Sequence, residues 1–286
     1  IISRIYSLGT DTLFSVSGRG ILFLTDAVAK HKKINNIATH HEQAAGFSAV
    51  AYAQKSNKLG ACLVSTGCGS TNALTAVLSA WQDNIPCIFI SGNNTLNETT
   101  NFKKVPIRTF GQQEADIIPL VKSITKYSVM ITKANDILEE LDKAIKIALE
   151  GRKGPVWIDV PLDIQASDIN ITILEIKNLT KKYQNKSVRN KLITTKKQKE
   201  KVINLINLIN KSARPLIIVG NGIRFSNNIK EFHAFVRRLK IPICTVWNSH
   251  DILTNDSPFY AGRPGADGER AGNFNMQNSD LLISSS

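Results

Sequence analysis

The sequence predicts an α/β protein: a mostly parallel-sheet domain followed by an incomplete Rossmann-like second domain. Three observations lead there. Short apolar runs of strand length, such as Ile85–Ile90 and Leu216–Val219, alternate with segments of helical spacing. Glycine-containing turns (Gly18-Arg19-Gly20, Gly67-Cys68-Gly69 and Gly220-Asn221-Gly222) directly follow three of the strand-like runs. The chain has 286 residues, 42% of them hydrophobic, enough for two domains of about 100–200 residues each.

In chain order, Thr12–Val16 reads as a strand, Ile21–His31 as a helix, Ile37–Thr39 as a strand and His41–Lys55 as a helix rich in small residues. Ala61–Ser65 is the next strand, Ser70–Trp81 a helix and Pro86–Ser91 a strand. Asp116–Ser123, Ala134–Glu150 and Val156–Val160 continue as helix, helix and strand. Strands separated by helices need crossover connections, which put the strands parallel. The Asn- and Lys-rich stretch 167–195 reads as a basic linker. Beyond it come a helix over Lys199–Lys211 with Val202, Leu205, Ile206 and Ile209 on one face, strand Pro215–Val219, helix Asn228–Lys240, strand Pro242–Val246, and a last strand-like run at Leu281–Ile283. The expected domains are 1–166, the linker 167–195, and a truncated unit 196–286. The start at Ile1 and the stop just after a strand give both ends the look of cuts.

Composition narrows the function classes. No apolar run approaches the roughly 18–20 residues of a membrane span, so no membrane association is expected. The four cysteines at 62, 68, 87 and 244 form no CxxC pair, and His40-His41 has no metal-ligand partner at usable spacing. This reads as a reducing, cytoplasmic setting without zinc or disulfides. The formal net charge is +13, which in other contexts signals nucleic acid. Here the excess is concentrated in Lys177–Lys201 with only Tyr183 among the bases, so a solvated linker and no nucleic-acid partner are expected.

Two segments could carry chemistry. In His41-Glu42-Gln43-Ala44-Ala45-Gly46, Glu42 opens a helix straight after a strand, and positions 42, 45, 46, 49 and 53 share one face that beyond Glu42 is only Ala and Gly. Two readings stay open from the residues alone. Glu42 is a first-turn carboxylate favoured by the helix dipole, or it is a proton-sharing group beside a closely approaching ligand ring. In Ser65-Thr66-Gly67-Cys68-Gly69-Ser70-Thr71-Asn72, glycines and hydroxyls at a strand-to-helix turn suit either an ordinary turn or a polar ligand cradle. The Walker lysine spacing is absent.

Taken together in their order, these motifs resemble the pyrimidine-binding domain of thiamine-diphosphate enzymes and, within them, the acetohydroxyacid synthase (acetolactate synthase) family. The pattern continues in Ile85–Gly92, in Gln113-Glu114-Ala115-Asp116, in Ile124-Thr125-Lys126 and in Gly154-Pro155-Val156-Trp157-Ile158-Asp159-Val160-Pro161. Arg214–Gly222 and Gly262-Arg263-Pro264-Gly265 resemble the family's central domain. The resemblance implies a fragment of a transferase or lyase that uses thiamine diphosphate to decarboxylate a small 2-keto acid such as pyruvate and join it to a second, in branched-chain amino acid biosynthesis. Another decarboxylase or lyase of the same superfamily is the alternative. It implies that Glu42 is the catalytic carboxylate at N1′ of the cofactor's aminopyrimidine, with Thr66, Gly67 and Asn72 also binding cofactor and Gln112 and Gln113 in the substrate pocket. It also implies a homodimer or homotetramer with the active site between subunits. Magnesium and the diphosphate are expected on a third domain absent from these residues, and FAD against the second domain stays open. Two departures stand out. Cys68 sits where the family carries Pro, and Gln112 where acetohydroxyacid synthases carry Phe. Gly265-Ala266-Asp267-Gly268 resembles the family's metal motif, but it reads as a loop with no helix after it.

Overall fold

The computed structural model describes residues 1–104, 106–169 and 195–285, which fall into two compact units divided between Ser187 and Val188. The predicted linker therefore lies almost wholly outside the described residues, as do the basic residues between Lys177 and Arg189. Among the described residues, no helix is long and apolar enough to cross a membrane.

The first unit begins with α1 (Ile2–Ser7), β1 (Thr12–Ser15), α2 (Leu22–Lys30), β2 (Asn35–Ala38), α3 (Glu42–Ser56) and β3 (Gly60–Val64). It continues with α4 (Cys68–Thr71), α5 (Leu74–Gln82), β4 (Cys87–Asn93), α6 (Thr100–Lys103), α7 (Ile117–Val121), β5 (Tyr127–Met130), α8 (Ile137–Leu149), β6 (Val156–Pro161) and α9 (Leu162–Ala166). Its six strands form one sheet in the order β2-β1-β3-β4-β6-β5, and every pair is parallel. The central strands β3, β4 and β6 are buried along their whole length. That is why their apolar residues run together, as in Ala61–Val64, Cys87–Ile90 and Val156–Ile158, rather than alternating. One face packs Leu13, Leu63, Ile88, Ile90 and Ile158 against Ile5 of α1, Leu24 and Val28 of α2, and Leu141 and Ile145 of α8. On the other, the Phe89 and Trp157 rings stack with centroids 5.6 Å apart.

Because β1 has β2 on one side and β3 on the other, the chain order reverses between β1 and β3. The carboxyl ends of these strands splay the following loops apart and open a crevice there. Parallel crossovers also put helix N-termini at that same edge, and so α3 begins there with Glu42.

Several elements differ from the sequence expectation. The helix expected over Ser70–Trp81 is broken into α4 and α5. The second strand starts two residues earlier and ends one residue earlier than expected. Strand β5 and helix α1 were not anticipated: β5 is a half-buried edge strand, and α1 buries only Ile2, Arg4 and Ile5. Arg4 is paired at 2.5 Å with Asp142 of α8, far away in sequence. The small-residue face of α3 does not lie open to a ligand. It meets the protein itself: a Cβ added at Gly46 would sit 2.6 Å from the Ala76 Cβ and 3.3 Å from the Phe89 ring.

The second unit contains α10 (Lys196–Lys211), β7 (Pro215–Val219), α11 (Gly222–Phe225), α12 (Ile229–Leu239), β8 (Ile243–Thr245), α13 (Arg270–Asn278) and β9 (Leu281–Ser285). Its parallel sheet runs β8-β7-β9. Helix α10 starts at a Thr195/Gln198 capping box, three residues before the expected start. Its predicted apolar face is only half covered, since Val202 and Ile206 are exposed. Residues 265–268 form a turn, as expected, but α13 follows it, contrary to the expectation. Asn273 of that helix closes the turn through both its amide atoms on Gly265.

Candidate active site

At the carboxyl edge of the first sheet lies a polar pocket of about 300 Å³. Its lining includes Arg19, Glu42, Thr66, Cys68, Gly69, Asn72, Asn93, Asn94, Gln112, Gln113 and Leu162. Five of the six residues singled out from sequence line it: Glu42, Thr66, Asn72, Gln112 and Gln113. The sixth, Gly67, lies just behind the wall.

Each is placed by its local structure. The β2–α3 connection leaves His41 extended, and its Nδ1 accepts a hydrogen bond from Gln43 N at 3.1 Å. His41 is thus the N-cap of α3, a structural task. The cap fixes the first turn and so the stem of Glu42. The half-buried Glu42 carboxylate accepts from Asn72 Nδ2 on Oε2 at 2.9 Å. The other oxygen faces Gly69, where an added Cβ would come within 3.1 Å of it, and it takes no hydrogen bond among the described residues. Asn72 follows α4, so the break in the expected helix serves to bring Asn72 to Glu42 rather than onto a regular helical face.

The wall opposite is the segment Phe110–Glu114. Gly67 has φ +60°, and an added Cβ there would meet the Gln113 carbonyl at 1.7 Å. The β3–α4 turn and the Gln112-Gln113 segment are therefore in direct backbone contact. Glu114, only 8% exposed, holds this segment. Its Oε1 accepts from Thr100 N and Oγ1 at 2.5 and 2.7 Å, and its Oε2 accepts from Phe110 N and Gly111 N at 2.8 and 3.2 Å. Burial alone would raise the carboxyl's pKa, but these four donors outweigh it and hold it below its ordinary value.

One prediction follows from the geometry of that clamp. Glu114→Gln keeps the shape but offers only one acceptor oxygen and turns an NH₂ toward donors. It should cost about 2–3 kcal/mol of stability at pH 7. Because the folded pKa is depressed, the clamp's contribution is complete above the unfolded carboxylate pKa. It disappears as pH falls through the folded value. Urea unfolding of wild type and variant should show the gap at neutral pH closing in acid.

Behind the pocket lies a second buried carboxylate, Asp159 on β6, 1% exposed. It accepts from Ser91 Oγ at 2.5 Å and Asn93 Nδ2 at 2.8 Å. Burial pushes its pKa up to about 6 against the pull of these two donors, with Asp116 adding to the rise. Asn93 in turn accepts from Asn94 N at 2.9 Å, and Asn94 Nδ2 donates to the Gln112 carbonyl at 3.0 Å. The sequence reading missed Asn93, Asn94 and Arg19. The first two look like the polar end of an apolar strand, and only the parallel register of β4 beside β6 (Ser91 opposite Asp159) shows what holds them.

In the second unit, the turn after β7 buries Asn221 (5% exposed) and β8 buries Thr245. Neither Asn221 amide atom, nor the Thr245 hydroxyl, has a partner among the described residues. No group of three His, Cys, Asp or Glu residues is placed to hold a metal ion among the described residues.

Comparison with known proteins agrees with this division. Residues 1–120 match the family model described as thiamine pyrophosphate enzyme, N-terminal TPP binding domain. Residues 202–284 match thiamine pyrophosphate enzyme, central domain. The acetolactate synthase large subunit of Lactococcus lactis is 29% identical over 283 residues, which is 99% of this chain and 46% of that protein. The probable acetolactate synthase large subunit of Methanocaldococcus jannaschii is 32% identical over 288 residues, 99% of this chain and 45% of that protein. The mitochondrial acetolactate synthase catalytic subunit of Saccharomyces cerevisiae is 32% identical over 281 residues, 96% of this chain and 38% of that protein. The chain thus spans less than half the length of these relatives.

Proposed function

Since the chain belongs to the thiamine pyrophosphate enzyme family, we propose that its pocket holds the aminopyrimidine of thiamine diphosphate in an enzyme that decarboxylates pyruvate and joins it to a second 2-keto acid. The observation that carries this reading is the Glu42 carboxylate itself. One oxygen is occupied by Asn72, and the other is open toward Gly69 at the rim of a polar pocket. These residues fit a flat ring with a basic nitrogen: a carboxylate oxygen to meet that nitrogen, and a glycine where a side chain would crowd it.

Bound thiamine diphosphate would supply the electron sink that decarboxylation of a 2-keto acid needs. The chain's own residues do the rest. Glu42 holds a proton at ring N1′ through its open oxygen. Asn72 keeps the carboxylate from rotating away, and Thr66 borders the same end. Gln112 and Gln113 stand on the substrate side, and Leu162 gives the pocket an apolar patch. The magnesium and diphosphate ligands belong to parts of the longer protein outside these 286 residues. In this reading the enzyme is a cytoplasmic homodimer or homotetramer with its active site between subunits. Exposed Phe47 on α3 and Leu78 and Trp81 on α5 support an association face.

The test is an assay of the full-length protein with thiamine diphosphate, Mg²⁺ and pyruvate. Cofactor-dependent release of CO₂ with formation of acetolactate is expected. Tight cofactor binding with no turnover of pyruvate would move the assignment to another lyase of the family.

A second cofactor is favoured by one observation in the second unit. The unpartnered, buried Asn221 amide lies at the carboxyl end of β7, where the chain order reverses and nucleotides bind in such sheets. Phe225 stands where the third glycine of a dinucleotide fingerprint would be, so the nicotinamide pattern is incomplete, and FAD is the nucleotide cofactor that the family resemblance leaves open. Flavin absorbance in the purified full-length protein checks it.

A further inference from the structure

Among the described residues, the pocket contains one cation. Arg19 is the single basic side chain in its lining, and among the described residues it takes part in no ion pair. We infer that Arg19, steered by Gln112, is the specificity-determining residue that takes the carboxylate of the 2-keto acid. This deepens the reading above and rests on it.

The geometry supports the assignment in three ways. First, Arg19 Nη1 donates to Gln112 Oε1 at 3.0 Å and reaches Asn94 Oδ1 at 3.5 Å. These neutral amide oxygens orient the guanidinium without cancelling its charge. Nε and Nη2 take no hydrogen bond among the described residues, which leaves donors for an incoming carboxylate, the partner a guanidinium binds best.

Second, the backbone beneath Arg19 is fixed. Gly20 N donates to Ser65 Oγ at 3.2 Å, and Gln165 Nε2 donates to Gly20 O at 2.6 Å. Its two amide partners are fixed as well. The hydrogen-bond chain from buried Asp159 through Asn93 and Asn94 ends on the Gln112 carbonyl. Gln112 is thus anchored by its backbone and spends its side chain on Arg19.

Third, the electrostatics favour a protein cation here, in addition to the cofactor's own thiazolium charge. Glu42 lines the same pocket, and an anionic substrate entering beside a carboxylate is repelled unless a positive group receives it. The neutral aminopyrimidine needs no such group. A Gly-Arg-Gly turn held by Ser65 and Gln165 puts one at the pocket wall.

The experiment compares wild type, Arg19→Gln and Arg19→Lys in the full-length protein. It measures thiamine diphosphate affinity with Mg²⁺ by calorimetry, then KM and kcat for pyruvate. Arg19→Gln should raise KM for pyruvate by about tenfold to a hundredfold, the scale of a lost charged hydrogen bond. Cofactor affinity and kcat should stay within about threefold of wild type on the same scale, and Arg19→Lys should recover part of the loss. An unchanged KM overturns the assignment. So does a loss of cofactor affinity with KM unchanged, which would put the charge on the diphosphate instead. A wild type that binds no thiamine diphosphate overturns the parent reading first, and that outcome is visible before any variant is made.

Discussion

Glu42→Gln in the full-length protein is expected to retain thiamine diphosphate binding and lose about 10²–10⁴ of turnover, the range over which a positioned proton-transfer group acts. The substitution keeps the size of the side chain and its place in the first turn of α3. Asn72 still finds an amide oxygen to donate to. What goes is the acidic group: a glutamine amide cannot hold and share a proton with a ring nitrogen. The bland alternative, a first-turn carboxylate serving the helix dipole, predicts something quite different. Loss of such a charge at a helix end costs about 0.3–1 kcal/mol of stability and leaves chemistry alone. Steady-state assays and denaturant melts on the same preparation separate the two. Turnover within about tenfold of wild type would remove Glu42 from the mechanism.

The second large effect is structural. Gly67→Ala should destabilise the first unit by about 2–4 kcal/mol, combining a backbone conformation closed to L side chains with an overpacked contact. Gly67 has φ +60° and ψ −112°, and its added Cβ would lie 1.7 Å from the Gln113 carbonyl. Neither partner is free to yield, because Glu114 and Asn94 hold the Gln113 side of the contact. Gly151→Ala is the control. Gly151 has nearly the same φ, +61°, but nothing within 4 Å of the new Cβ, so it should cost only about 1 kcal/mol. Unfolding of both variants by urea checks the difference. Equal costs would mean that the contact between the two pocket walls contributes nothing.

Much of the fold was legible because the central strands are buried on both faces. Cys87–Ile90 within β4 and Val156–Ile158 within β6 could not avoid reading as apolar runs. Edge strand β5 was not legible for the complementary reason. Tyr127–Met130 is half-buried throughout, so it shows neither a solid apolar run nor clean alternation. Helix α1 hides its packing in an Arg4–Asp142 pair that no local pattern announces.

The site divides similarly. Glu42, Thr66, Asn72, Gln112 and Gln113 carry recognisable motifs, and the pocket brings them together. Arg19 passed as the middle of a glycine turn. Asn93 and Asn94 passed as a strand end, because their meaning depends on Asp159 across the sheet. The small face of α3 was misjudged: the sequence shows that something approaches Gly46 closely, but not that it is Ala76 and Phe89.

The most direct test of the central claim pairs the Glu42→Gln variant with a thiamine diphosphate analogue carrying a C–H in place of N1′. Turnover is measured for all four combinations of protein and cofactor. If Glu42 acts through that nitrogen, removing either partner costs nearly the whole effect, and removing both costs little more. Losses that simply multiply would show that Glu42 and the ring nitrogen act independently, and would contradict the assignment.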